Sequence, residues 1–523
     1  MNKKYLSCMI SAALMTFSGA AICQNANAAT TTSSDYQAQL QQIKNDMALM
    51  QKNYQQQIDK ISQQIKQSET TKAENKKSAM VAKTQSTTEA SELDTLKHFA
   101  YGGYFRSGYG VNKNGNAMSP FQNPDSPTKY RLGNEPDTYG ELILGYNSLE
   151  KPDSGKPNWQ SRVRVSYAYT PTSSVQHQES TSNLWISEAY VSADNVLASD
   201  PGASFWGGQR FYRLDQSQIN DFYFLDMSGV GAGVQNLSLG DEVKLDVAFI
   251  GGPDIPADYT AEYLGTDHGN LSKSNLDFQI HNIKMGNTHS RIWLNASYAA
   301  GGTADSYNSS TGTTASYETA AASGFGVGFF NYADNFFGGK NTFAIMYGHG
   351  SSANFKAGTD QLTLGYSTNN TPITINNYDL NKAYTFRTLD FFTIPLSKQW
   401  KLTTVGIYQH DRNGNITNGQ GHTRDWFSFG VRPCYMFNDI YGLQFEAGAD
   451  YVNTDQNLPE KRSGTLGKLT VMPFIQLGVN TQLRTYLTYA TWSNDYKDMS
   501  VGGGAYDGDT NGWNAGVQLT TSW

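Results

Sequence analysis

Charge is scarce in this sequence: Asp, Glu, Lys and Arg make up 16% of 523 residues, against roughly a quarter in soluble proteins. Basic excess is also missing. With 39 Lys and Arg against 46 Asp and Glu the formal net charge is -7, which excludes the cationic footprint that nucleic-acid binding needs. Cysteine is limited to Cys8, Cys23 and Cys434. The first two fall in a leader segment, so Cys434 stands alone and the mature chain forms no internal disulfide. Beyond the leader no apolar run approaches the roughly 18 residues of a membrane-spanning helix. No Ser/His/Asp arrangement, Cys/His ligand cluster, Walker loop or dinucleotide fingerprint stands in a supporting context, so neither an enzyme, a cofactor nor a metal is expected.

Aromatic residues, by contrast, reach 13%, with 32 Tyr, 25 Phe and 9 Trp, and glycine contributes 50 residues. That mixture is too polar for a helical membrane bundle and too aromatic for a disordered chain. It is the composition of a transmembrane β-barrel, where lipid-facing apolar residues alternate with polar lumen residues between aromatic girdles.

The first residues read as a secretory signal, residues 1–28: Lys3 and Lys4, an apolar stretch from Tyr5 to Ile22, then Ala26, Asn27 and Ala28 as a cleavage site. From residue 29 to 98 there is neither proline nor glycine. Tyr36, Leu40, Ile43, Met47, Met50, Tyr54, Ile58, Ile61 and Ile65 recur at alternating three- and four-residue steps with one stutter. This predicts a coiled coil over 29–66, with ten glutamines between Tyr36 and Lys66 on its outer face. Residues 67–98, rich in Ser, Thr, Lys and Glu, read as a tether.

From residue 99 to 523 the period becomes two. Tyr441, Leu443, Phe445, Ala447, Ala449 and Tyr451 share one parity, opposite Gln444, Glu446, Gly448 and Asp450. Val163, Val165, Tyr167 and Tyr169 oppose Arg162, Arg164 and Ser166, and Trp513 to Trp523 alternates likewise. Short turns such as 437–440 exchange with long polar loops such as 301–316, as expected of periplasmic turns and extracellular loops. Strands of about ten residues plus these connections give about 16 to 18 strands. The fold class expected is all-β, a transmembrane antiparallel β-barrel wide enough for an aqueous lumen.

Several aromatic residues fall on the polar parity, where water rather than lipid is expected. Tyr104 shares a face with Arg106, Tyr139 with Glu141, and Trp426 with Ser428, Gly430 and Arg432. Rings beside charged groups suit a sugar, whose flat pyranose face packs on an aromatic ring while its hydroxyls take polar partners. For any one ring, structural filling is an equally good account.

At these motifs the chain resembles the maltoporin-like, sugar-specific outer-membrane porins. The matching stretches are residues 103–108, 129–135, 206–212, 221–233 and 430–433 and the last strand to Trp523. The resemblance implies an 18-stranded barrel, a homotrimer, an inward-folded third loop, and facilitated diffusion of oligosaccharides of the maltodextrin, sucrose or β-glucoside class. It implies that Tyr104, Tyr139 and Trp426 belong to an aromatic slide, that Tyr223 is the constriction tyrosine, and that Arg106, Arg131, Glu141 and Asp221 form a polar track. A mid-slide phenylalanine corresponds to Phe325 or Phe329, and a displaced eyelet arginine to Arg213. The last slide aromatic falls at Ser522, another eyelet arginine at Ser187, and Trp185 lies near the entrance position without matching it. The amino-terminal coiled coil resembles the periplasmic extension of sucrose-type porins. The partners so implied are an oligosaccharide, outer-membrane lipid and lipopolysaccharide, and two further copies of the chain. Two other readings of the same residues are a general diffusion porin and a trimeric surface adhesin.

Overall fold

The computed structural model describes residues 97–150, 154–169, 182–240, 242–253, 262–263, 272–308, 313–319, 321–358, 380–417, 420–454 and 462–523. The segments expected to be a leader and a coiled coil, and most of the expected tether, lie outside them.

The first nine strands in chain order are β1 (Phe99–Val111), β2 (Thr138–Asn147), β3 (Asn158–Tyr169), β4 (Ser182–Asp194), β5 (Ser204–Arg210), β6 (Arg213–Ser217), β7 (Phe222–Asp226), β8 (Gly229–Ser238) and β9 (Lys244–Pro253). Then follow β10 (Glu262–Tyr263), β11 (Ser272–Met285), β12 (Thr288–Ala299), β13 (Gly302–Asn308), β14 (Thr313–Thr319), β15 (Ala322–Phe336), β16 (Gly339–Gly350) and β17 (Tyr384–Pro395). The last are β18 (Trp400–Thr417), β19 (Gln420–Met436), β20 (Tyr441–Thr454), β21 (Ser463–Gly478), β22 (Thr481–Trp492) and β23 (Asn511–Ser522).

Eighteen of them form one antiparallel sheet. Each pairs with the next barrel strand in sequence, and β23 returns to β1 with Tyr104 opposite Ser522 and Val111 opposite Ala515, so the sheet is closed and has no free edge. The seam is reinforced where Gly103 and Trp523 exchange backbone N–H···O bonds of 3.2 and 3.1 Å. A Cβ on Gly103 would come within 2.4 Å of the Trp523 ring, so the tight fit requires glycine there.

Burial follows the two-residue period. Along β20, Tyr441, Ala447, Ala449 and Tyr451 are exposed on the outer wall while Glu446, Gly448, Asp450 and Val452 are buried inside. Connections alternate in length: β11 and β12 are joined by residues 286–287, β15 and β16 by residues 337–338, whereas β1 and β2 are separated by 112–137 and β16 and β17 by 351–383. The expected polar loop at 301–316 is corrected: it contains β13 and β14, a hairpin pairing Gly302 with Thr319 and Asn308 with Thr313. Its Thr and Tyr content favours extended pairing over irregular backbone.

Among the described residues, 112–137, the β6–β7 hairpin and 351–358 pack inside the barrel; in the last, Phe355 meets Trp293 edge-on at 5.9 Å and its carbonyl accepts from the Asp226 N–H at 3.1 Å. In residues 112–137, the buried Tyr130 ring lies where Cβ atoms on Gly430 and Gly448 would approach within 2.1 and 2.4 Å, and its hydroxyl bonds Ser428 Oγ at 2.8 Å. Only glycine on β19 and β20 leaves room for that ring. Buried Asp125 bonds Arg462 at 2.8 Å, and the Leu132 carbonyl accepts from Lys468 Nζ at 2.6 Å. The second inward segment is the β6–β7 hairpin. Ile219, Phe222, Phe224, Leu225 and Met227 form one buried cluster with Trp293, Phe330, Leu389, Ile407 and Trp426 of the inner wall. Complete burial of such side chains contributes about 1.5–3 kcal/mol each. The backbone carbonyl of Phe224 also accepts from Arg387 at 2.8 Å.

Candidate functional site

The hairpin covers one side of the inner wall and leaves the β1–β4 side uncovered. There the chain sets three rings on neighbouring strands. Tyr104 of β1 and Tyr139 of β2 have centroids 6.1 Å apart, and Tyr139 and Trp185 of β4 are 6.4 Å apart. Trp185 is 41% exposed. It reaches the lumen through a bulge: pairing passes from Arg164 opposite Glu188 to Val165 opposite Ile186, which skips Ser187 and places Trp185 opposite the buried Ser166. One extra residue reverses the parity of everything before it.

Charged groups run beside these rings. Asp221 pairs with Arg131 at 3.3 Å, Arg131 with Glu135 at 2.7 Å, Glu135 with Arg106 at 3.4 Å, and Arg106 with Asp137 at 2.7 Å. Arg106 also lies 5.1 Å over the Tyr139 ring, which joins the two systems. The Tyr139 hydroxyl donates to Glu141 at 2.6 Å, Glu141 pairs with Arg164, and Arg164 bonds Glu188 at 2.6 Å. Arg164 in turn sits 5.1 Å over Phe211. On the hairpin, Arg213 is 3.8 Å from the Phe211 ring centre and 4.4 Å from that of Tyr223, with Asp226 at 3.0 Å.

Electrostatics in the inward loops keep this array charged. Burial alone would raise the Glu135 carboxyl, but Arg131 and Arg106 more than offset that and hold it below the usual carboxylate range. Arg131 is likewise held cationic: burial opposes its charge, and Glu135 and Asp221 outweigh burial. Burial raises the Tyr223 phenol, which stays neutral and able to donate.

Tyr104, Tyr139, Arg106, Arg131, Glu141 and Asp221 are therefore joined in one array, with Arg213 and Tyr223 facing it from the hairpin. Two other expected members are not. Trp426 has inner parity but is 0% exposed, donating to Asp450 at 2.9 Å and meeting Phe222 edge-on at 5.2 Å. It forms the seat of the hairpin and presents no ring face to the lumen. The placement of Phe325 in the sugar path is corrected: it is 51% exposed on the outer parity, stacked on His349 at 5.6 Å. The inner parity of β15 belongs to Gly326 and Gly328, where a Cβ would meet the Trp293 ring at 2.3 and 3.3 Å. Seven members of the array had no site role from sequence: Glu135, Asp137 and Asp226, which lie on the inward loop and hairpin, together with Arg164, Trp185, Glu188 and Phe211. Arg164 showed its inner parity but no ring partner; Trp185 and Glu188 were hidden by the bulge; Phe211 has no strand period to mark it. Among the described residues no group of three His, Cys, Asp or Glu stands close enough to hold a metal ion.

Residues 99–523 match the family described as LamB porin. Among solved structures the chain is similar to OccAB4 of Acinetobacter baumannii, with 10% identity, 82% of this chain and 98% of that one covered, and a TM-score of 0.41. It is also similar to OccK1 (OpdK) of Pseudomonas aeruginosa, with 9% identity, 82% and 99% coverage and a TM-score of 0.41. The trimer form of OmpT of Vibrio cholerae gives 9% identity, 81% and 99% coverage and a TM-score of 0.35.

Proposed function

Because the chain belongs to the LamB porin family of the outer membrane, we propose that its lumen is a sugar-selective path for facilitated diffusion of oligosaccharides, not an enzyme site. The observation that carries this reading is the row Trp185, Tyr139 and Tyr104, with centroid steps of 6.4 and 6.1 Å, beside the Asp221, Arg131, Glu135 and Arg106 chain. A pyranose face slides from ring to ring while its hydroxyls exchange between fixed donors and acceptors. Each contact is weak enough to release, which is the condition for conduction. The concentration gradient drives the flux. Tyr223 and Arg213 narrow the opposite side, so the sugar passes edge-on between the hairpin and the rings.

The test is a planar-bilayer panel of maltodextrins, sucrose and β-glucosides scored by block of ion current. Tyr104→Ala and Tyr139→Ala should each weaken block by about three- to ten-fold, the scale of one stacked ring. A parent channel that none of these sugars blocks would be a general diffusion porin.

The family resemblance also supports a homotrimer, and three parallel copies of the heptad seam at 29–66 would satisfy its apolar stripe on the periplasmic side. Deleting residues 29–96 should leave sugar block intact. A surface adhesin would instead lose its binding while the barrel still assembled.

A further inference from the structure

We infer that sugar leaving the constriction is received by a second, polar binding site on the wall opposite the aromatic row, between the β6–β7 hairpin and the turn ends of β11, β12 and β15. This inference rests on the sugar-channel reading and adds an exit site to it.

A cavity of about 320 Å³ lies there, bounded by Arg213 and Asp215 of the hairpin and by His281, His289, Arg291 and Tyr332 of the wall. That volume is within the range of small-molecule sites. It shares Asn282 and His289 with a wider recess of about 440 Å³ that opens past Lys244 and Lys284, so the two form one lane. Lys284 and His289 flank the two-residue turn at 286–287, and short turns mark the periplasmic end of such barrels.

The lane begins where the constriction ends. Arg213 is the same guanidinium that lies 4.4 Å over the Tyr223 ring, so a hydroxyl released from that pair already has a partner in the cavity. The aromatic row offers no alternative below Tyr104, because the position paired with it on β23 is Ser522.

The lining is polar throughout and suits a polyhydroxylated ligand. Most of its polar groups are already partnered: Arg213 pairs with Asp226 at 3.0 Å, the His281 ring lies 3.1 Å from Asp246 and the His289 ring 3.5 Å from Asp334. Asp215 accepts from the Tyr332 hydroxyl at 2.7 Å. A hydroxyl both donates and accepts and inserts beside such pairs, and Arg291, which donates to the neutral Gln279, adds a guanidinium that a sugar oxygen can face. Buried Arg291 Nε has no acceptor among the described residues, so this guanidinium beside the cavity is incompletely satisfied by the protein. His289 and Tyr332 stack at 5.0 Å with planes 16° apart, a flat platform for a pyranose face.

The test uses the full-length channel in planar bilayers, oriented, with maltotriose and sucrose added separately to each side. His289→Ala removes half of the platform, and Tyr332→Phe removes only one hydroxyl, leaving the packing in place. Each should slow the association of sugar added from the periplasmic side by about two- to ten-fold, one lost stacking or hydrogen-bond contact. Association from the extracellular side should stay at the parent's value. Equal slowing from both sides, or none from either in both variants, overturns the exit site while the parent's block upholds the channel reading. A parent that neither sugar blocks overturns both.

Discussion

Trp185 and Trp426 both carry an indole on the inner side of the barrel, yet their surroundings assign them different work. Trp185 is 41% exposed beside Tyr139, whereas Trp426 is wholly enclosed by Phe222 and Asp450. Trp185→Ala should therefore weaken sugar block by about three- to ten-fold with little effect on thermal stability. Trp426→Ala opens a cavity under the hairpin and should cost about 3–5 kcal/mol locally. Its signature is a noisier, larger open-channel conductance, read in single-channel records. Glu135 makes a pH prediction with a definite sign. A carboxyl held below its unfolded value, about 4.3, stabilises the folded loop above that pH and loses the contribution as pH falls through the lower folded value. Sugar block should thus be flat from pH 7 to about 4.5 and decay only on further acidification, and Glu135→Gln should weaken it already at pH 7. Decay of block in the parent between pH 7 and 5 would show that Glu135 is not the group holding Arg131 and Arg106.

Among elements, the hairpin and the inward loop at 112–137 both fill space inside the barrel, the hairpin together with residues 351–358. Each is fastened by a different device. The loop depends on the Tyr130 ring entering the gap left by Gly430 and Gly448. Gly448→Leu fills that gap and should expel the loop. The expected readout is a rise in conductance with loss of sugar block, since Arg131 and Glu135 leave with the loop, while the folded barrel persists as heat-modifiable mobility in gels. The strand-level alternation was legible from sequence because nothing interrupts it in β1 or β20, and Tyr104 and Arg106 could be read directly. Trp185 could not, because the bulge at Ser187 reverses parity and leaves no mark in a two-residue pattern. On β15 both parities carry phenylalanines, with Phe325 and Phe329 outside and Phe330 inside, so period alone could not choose. The burial of Trp426 depends on Phe222, some 200 residues earlier in the chain, a contact no local pattern encodes.

For the whole molecule, composition already separated a transmembrane barrel from a soluble or helical fold, and strand length bounded the strand count. What it could not supply was the division of the inner surface. Tyr104, Tyr139 and Trp185 line one wall, and the opposite wall is taken up by packing beneath the hairpin except at the polar cavity around Arg291. That asymmetry makes the channel one-sided: the exposed rings and the Arg106, Glu141 and Arg164 pairs beside them share the β1–β4 wall, while the opposite wall is mostly packing. It also means that inner parity alone does not bring a ring to the lumen, as the enclosed Trp426 shows.

The seam between β1 and β23 has a kinetic consequence. Gly103 and Trp523 are bonded to each other across nearly the whole barrel sequence, so the cylinder acquires its final hydrogen bonds only when its first and last strands meet. Contacts of such long sequence separation form slowly, and until they form two strand edges stand open to pairing with other chains. The unassembled chain is therefore most vulnerable to aggregation in transit, and the fit of the Trp523 ring against Gly103 is the step that ends that exposure. A bulkier residue at Gly103 would lengthen that interval before it altered any property of the finished channel.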